Sequence, residues 1–140
     1  MTTNTRISEY TDPLRSALLA NAGFSTLSGL LLAVAPETVG GWLGVVIDGW
    51  LRALGLALLG HAVVLVLASR QDDIHRWGWL NFVAIAPYPL AMIALAVTGA
   101  VPRDLGKALV LIDGTIVGLL AAAQWLGLRS PKRQQLQRAV

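Results

Sequence analysis

The sequence from Leu105 to Gly127 reads LGKALVLIDGTIVGLLAAAQWLG, a long apolar stretch with one acidic residue, Asp113, near its middle. A helix needs about 20 mostly apolar residues to cross the hydrocarbon core of a bilayer, and this stretch is long enough. A carboxyl group at that depth is costly unless it faces other protein groups. The stretch therefore predicts a membrane-spanning helix whose polar side faces neighbouring helices.

Three other stretches have the same character, and the chain of 140 residues is strongly apolar throughout. Hydrophobic residues make up 55% of the sequence and charged residues 14%, a composition too apolar for a soluble domain of this length. The other predicted spans are Leu14–Ala35, Leu51–Ser69 and Trp77–Gly99. We predict an all-α polytopic membrane protein in which four transmembrane helices form a compact bundle over residues 14–128.

The distribution of basic residues predicts how the chain is oriented in the membrane. Eight lie on one side of the four predicted spans: Arg6, Arg15, Arg70, Arg76, Arg129, Lys132, Arg133 and Arg138. The other side has three: Arg52, Arg103 and Lys107. Since Lys and Arg are enriched in cytoplasmic loops, we expect a multi-pass protein of the plasma (inner) membrane with both termini in the cytoplasm. The polar segment 1–13 and the basic tail 129–140 are then cytoplasmic, and the tail is a topology signal rather than a nucleic-acid-binding segment.

The connection between the first two spans is unusually apolar. Pro36 ends the first span, and Val39–Ile47 follows as a run too short to cross a bilayer and too apolar for a solvated loop. We expect this run to form a short interfacial or partly re-entrant segment on the outer face of the membrane.

Polar residues inside each predicted span fall on one helical face. They are Asn21, Ser25 and Ser28 in the first span, His61 in the second, Asn81 and Tyr88 in the third, and Asp113 and Gln124 in the fourth. Separations of three, four, seven or eleven residues bring side chains to the same side of a helix. We therefore expect a shared polar centre near the membrane midplane. The predicted ligand-binding or proton-relay residues are Asn21, Ser28, His61, Asn81, Tyr88 and Asp113.

Asp113 is the strongest functional candidate because no other acidic residue lies well inside a span. His61 is its expected partner, since an imidazolium would offset a buried carboxylate and a neutral imidazole could donate one hydrogen bond. The alternative is purely structural. In that interpretation His61 makes an ordinary interhelical hydrogen bond and Asp113 is protonated.

Two further motifs concern helix geometry. Pro87-Tyr88-Pro89 lies in the centre of the third span, so we expect that span to bend or unwind between Val83 and Pro89. Gly114, Gly118 and Ala122 recur every four residues and form a small-residue ridge that permits close helix packing. The sequence leaves open whether this ridge packs within the chain or against a second protomer.

Several kinds of chemistry are not indicated. The chain has no cysteine and only two histidines, with neither a phosphate-binding glycine loop nor a zinc-type histidine pair, so we expect no cofactor and no metal site. The favoured function is a binding or transport protein for protons, an ion or a lipophilic molecule. The alternatives are an accessory or assembly subunit of a membrane complex and a membrane-embedded isomerase or cyclase with Asp113 as acid or base. The expected partners are membrane lipids and a homo-oligomer or larger membrane complex, with no nucleic acid.

The orientation can be tested with reporter fusions. A reporter joined after Arg129 is expected to give a cytoplasmic signal, and one inserted at Gly40 the opposite signal, because the basic residues favour cytoplasmic termini. Paired fluorescent and secreted-phosphatase reporters measure both states. Matching signals at the two positions would contradict the predicted topology.

Overall fold

The computed structural model describes residues 12–46 and 48–129, and its regular secondary structure is entirely α-helical. Six helices follow in chain order: α1 Pro13–Val34, α2 Pro36–Leu43, α3 Asp48–Ser69, α4 Ile74–Ile85, α5 Tyr88–Val97 and α6 Asp104–Leu128. The predicted all-α fold class is confirmed. Most of the predicted N-terminal segment and basic tail, together with Ile47 of the predicted interfacial run, lie outside the described residues.

Four helical segments are long and apolar enough to cross a membrane. They are Pro13–Val34, Gly49–Ser69, Ile74–Val97 and Asp104–Leu128, each within a few residues of a predicted span. Many of their large apolar side chains are exposed, including Leu27, Val34, Leu90 and Leu126. Exposed apolar faces on long helices are typical of helices that meet hydrocarbon instead of water.

Two carboxylates cap helices that begin at the same end of the molecule. Asp12 accepts a hydrogen bond from the Leu14 amide at 3.1 Å, and Pro13 occupies the first turn of α1, where no amide partner is needed. Asp73 accepts a weaker bond from the Arg76 amide at 3.4 Å and caps α4. These residues fix where α1 and α4 start.

Helices α1 and α6 make most of the contacts between elements. Helix α1 packs against α2, α3, α4 and α6, and α6 also packs against α2, α4 and α5. Among the described helices, no Cα atom of α3 comes within 8 Å of a Cα atom of α5 or α6. Helix α3 is therefore joined to the rest mainly through α1, and a gap separates it from α5 and α6.

The contact between α1 and α3 is a close crossing of two glycines. A Cβ atom built on Gly55 would lie 2.5 Å from the Ala33 nitrogen and 2.7 Å from the Gly29 carbonyl oxygen. One built on Gly29 would lie 2.9 Å from the Gly55 carbonyl oxygen. Since the atoms in the way belong to the backbone, only glycine permits this approach.

The small-residue ridge of α6 packs on α5 of the same chain. A Cβ atom on Gly114 would lie 2.8 Å from the Met92 Cβ, and one on Gly118 would lie 3.5 Å from the Pro89 Cγ. Ala122, the third member of the ridge, is exposed. The two glycines of the motif therefore serve packing within the chain.

The predicted interruption of the third span is confirmed. Helix α4 ends at Ile85 and α5 begins at Tyr88, while Ala86 and Pro87 keep right-handed helical dihedral angles. Because Pro87 and Pro89 have no N–H group, the carbonyls of Val83 and Ile85 cannot accept their usual helical hydrogen bonds. The chain thus passes from α4 to α5 through a joint with helical dihedral angles in which two of the usual helical hydrogen bonds are missing.

The connection from α1 to α3 contains helix α2, which overlaps the predicted interfacial run at residues 39–43. Helix α2 is capped by Gly44, whose φ of 79° lies in the left-handed region that favours glycine. The Glu37 carboxylate and the Arg52 guanidinium form an exposed ion pair at 3.3 Å, and Arg103 donates to the Gly41 carbonyl. These contacts tie α2 to α3 and to the start of α6.

The glycine crossing gives a stability prediction. Gly55→Ala is expected to lower the free energy of unfolding by about 1–3 kcal/mol, because the new methyl group overlaps the α1 backbone. Gly60→Ala is the matched control in the same helix, since a Cβ atom there meets nothing within 4 Å. Thermal unfolding of both purified variants in one detergent measures the difference. Equal midpoints would contradict the crossing.

Candidate functional site

A cavity of about 100 Å³ lies where five of the helices meet. Its polar lining residues are Asn21, Ser25 and Ser28 of α1, His61 of α3, Tyr88 of α5 and Asp113 of α6. The structure therefore brings five of the six predicted site residues to one cavity, and Asn81 is the exception. The Asp113 and His61 side chains, from different predicted spans, face the same space.

The arrangement of helices explains why the cavity exists. Its walls include His61 on one side and Tyr88 and Asp113 on the other, and these residues belong to the helices that do not approach each other. Helix α1 contributes Asn21 and Ser28 from its polar face. The cavity therefore occupies the gap between α3 and the pair formed by α5 and α6.

The hydrogen-bond partner of Asp113 is Tyr88, and the expectation that it would be His61 is corrected here. The Tyr88 hydroxyl donates to the Asp113 Oδ2 at 2.6 Å, a length typical of a hydroxyl bonded to a carboxylate. Helix α5 packs closely on α6 at Gly114, next to Asp113, whereas α3 stays farther away. Across the described part of the chain, His61 makes no hydrogen bond or ion pair.

Asn21, which belongs to the cavity lining, has a buried hydrogen-bond donor without a partner among the described residues. Its side chain is almost fully buried, with 3% exposure, and its Nδ2 atom has no partner among the described residues. A buried donor left without a partner costs about 1–3 kcal/mol. This atom therefore favours a polar occupant of the cavity.

The sixth predicted residue, Asn81, belongs to a separate chain of buried amides. Its Nδ2 donates to the Gln124 Oε1 at 2.9 Å, and the Gln124 Nε2 donates to the Gly78 carbonyl at 2.7 Å. Gln124 is completely buried, and Asn81 is 6% exposed. Asn81 thus lies in the contact between α4 and α6, outside the cavity lining.

Five apolar residues complete the lining and are not among the residues predicted from the sequence: Phe24, Leu58, Ala84, Ile85 and Val117. Each is three or four residues from a predicted polar residue of its own helix, and such positions share a helical face. Helical spacing is therefore the signal that could identify these five residues. Their residue type is not a signal, because apolar residues occur throughout this chain.

The size and composition of the cavity limit what it can hold. About 100 Å³ accommodates roughly three water molecules at about 30 Å³ each, well below the 300–1,000 Å³ of pockets for drug-sized ligands. Within residues 12–46 and 48–129, no three His, Cys, Asp or Glu residues lie together as metal ligands. The cavity suits protons, water or a very small polar molecule.

A scan against protein-family models, a search of curated proteins and a search of solved structures each found no match. The role of the cavity is therefore inferred from its own side chains.

The contact between Tyr88 and Asp113 can be measured with a double-mutant cycle. Tyr88→Phe keeps the ring and removes the hydroxyl, so we expect it to lower the free energy of unfolding by about 1–3 kcal/mol. Combined with Asp113→Leu, which removes the acceptor oxygens, the two effects should be non-additive because both substitutions remove the same hydrogen bond.

Thr115→Val is the control partner for this cycle. The Thr115 hydroxyl donates to the Leu111 carbonyl of its own helix at 2.7 Å. The changes in unfolding free energy caused by Thr115→Val and Tyr88→Phe should therefore be additive. Chemical unfolding in detergent gives all the free energies. Additive effects of the Tyr88 and Asp113 substitutions would show that the hydrogen bond contributes nothing.

Proposed function

We propose that this protein spans a membrane with a four-helix bundle, both termini in the cytoplasm, and that its cavity binds and transfers protons. The observation that carries this proposal is that Asp113 and His61, from different predicted spans, line one small cavity. A carboxyl and an imidazole are the side chains that most readily exchange protons near neutral pH.

The surroundings of the two ionisable groups support a proton as the transferred species. Tyr88 holds the Asp113 carboxylate at 2.6 Å on one wall, while His61 faces the same space without a protein partner among the described residues. Room for about three water molecules is enough for a hydrogen-bonded path between the two walls.

Membrane insertion is supported by the surface as well as by helix length. Trp42 and Trp50 are exposed near one end of the molecule, and Trp77 and Trp79 near the other. Tryptophan prefers the interfaces on both sides of a bilayer. At the second end the Arg129 guanidinium lies 4.0 Å from the centre of the Trp125 ring, so a cation and aromatic rings occur together there.

Proton transfer can be tested in liposomes that contain the purified protein and an internal pH-sensitive dye. Under an imposed membrane potential, the wild-type protein should acidify the lumen, and Asp113→Asn should slow this flux at least about tenfold because the carboxyl group is lost. Asp104→Asn is the matched control. Asp104 lies at the start of the same helix, and its side chain is 99% exposed, so its loss should leave the flux unchanged.

The result decides between the proposed function and its main alternative. An Asp113→Asn variant that folds and transfers protons at the wild-type rate would contradict the role of this residue. A wild-type protein that transfers none would favour an accessory subunit, in which Asp113 only contributes to packing.

A further inference from the structure

Two buried amide side chains each have one atom without a protein partner, and the two atoms are of opposite type. The Asn21 Nδ2 is a donor and the Asn81 Oδ1 is an acceptor, and neither has a hydrogen bond to any described residue. Both side chains are more than nine-tenths buried. Two such atoms on neighbouring helices, α1 and α4, indicate a site that needs both a donor and an acceptor.

The orientation of Asn81 is fixed by its neighbours. The Gly78 carbonyl can only accept, so the Gln124 Nε2 must point to it and the Gln124 Oε1 must point to Asn81. The Asn81 Nδ2 is therefore committed to Gln124, and its Oδ1 remains as the free acceptor. Exchanging the two atoms would place a carbonyl oxygen against another oxygen.

The register of α1 and α4 gives the axial offset between the two asparagines. A Cβ atom on Gly78 would lie 3.0 Å from the Leu14 Cδ1, so these residues lie at the same level. Counting onward from both, Asn21 lies seven residues farther along and Asn81 three, so their axial offset is four residues, or about 6 Å at 1.5 Å per residue. Two hydrogen bonds through one oxygen atom bridge roughly the same distance.

We propose that Asn21, which lines the cavity, and Asn81, which lies outside the lining in the contact between α4 and α6, form a hydroxyl-binding subsite that adjoins the cavity. One oxygen atom accepts a hydrogen bond from the Asn21 Nδ2 and donates one to the Asn81 Oδ1. The oxygen belongs to a water molecule or to the hydroxyl group of a small alcohol. This subsite does not depend on proton exchange at Asp113.

The chemistry of the two amides selects a hydroxyl over other groups. An ammonium group donates only and cannot satisfy Asn21, whereas a carboxylate or a halide accepts only and cannot satisfy Asn81. Both amides are uncharged, so neither compensates a buried ion. A hydroxyl group is the smallest group that is both donor and acceptor.

The subsite can be tested by nuclear magnetic resonance on the full chain in lipid nanodiscs, with ¹⁵N-labelled asparagine. The Asn21 side-chain amide protons should show a cross-peak to bound water. Methanol, added as the probe, distinguishes the two sources. A new cross-peak to its methyl protons identifies a subsite open to alcohols, and an unchanged water cross-peak identifies a fixed water. Both results support the proposal.

Substitutions connect the signal to the predicted pair. Asn81→Leu should abolish the water cross-peak of Asn21, and Asn81→Leu with Gln124→Leu should do the same if the single variant does not fold. Ser69→Ala is the control, because the Ser69 hydroxyl bonds to the Val66 carbonyl at 2.7 Å, away from the cavity lining.

Three outcomes would overturn the subsite. They are no cross-peak to water or methanol, a cross-peak that persists without Asn81, and direct contact between the Asn21 and Asn81 amides. The measurement is repeated in Asp113→Asn, where the cross-peak should persist. A failure of the proton-transfer proposal is thereby separated from a failure of the subsite.

Discussion

The close approach of α1 and α3 at Gly29 and Gly55 is the constraint on which the cavity depends. Backbone atoms of the two helices meet there with no room for a side-chain carbon. One to two turns farther along each helix, Ser25, Leu58 and His61 line the cavity. Because the crossing fixes how both helices are rotated, it also fixes which of their side chains face the space beyond it.

Helix α6 holds the two halves of the interrupted span in place through two polar contacts. Asn81 of α4 bonds to Gln124, and Tyr88 of α5 bonds to Asp113. In apolar surroundings an unpaired polar group is costly, so these contacts specify which faces of the helices meet. Apolar packing alone would leave neighbouring rotations of α4 and α5 closer in energy. The polar residues thus specify structure as well as forming the cavity.

Much of the fold is predictable from the sequence because long apolar runs and proline have direct physical consequences. The four spans agree within a few residues, and the break before Tyr88 follows from the missing N–H groups of the prolines. The faces of Asn21, Tyr88 and Asp113 followed from helical periodicity. Periodicity concerns one helix at a time, however, and it does not say which neighbour a face meets.

The errors have that same origin. Ionisable side chains favour a pair of His61 and Asp113, yet the short turn between the third and fourth spans makes those spans antiparallel neighbours. Across the interface between these spans, Tyr88 consequently bonds to Asp113, and Asn81 bonds to Gln124. The Gly29–Gly55 crossing was not foreseen, because glycine is frequent in this chain and a close backbone approach is a property of the pair of helices.

The proline joint between α4 and α5 also determines where this span is mechanically weak. Rotation of one half against the other at Ala86 and Pro87 breaks no bond from Val83 or Ile85, since those carbonyls have no amide partner in the helix. The span formed by α4 and α5 is therefore easiest to bend at Ala86 and Pro87. Tyr88 is the first residue after this joint. Its hydrogen bond to the Asp113 carboxylate therefore holds the first turn of α5 against α6, next to the joint.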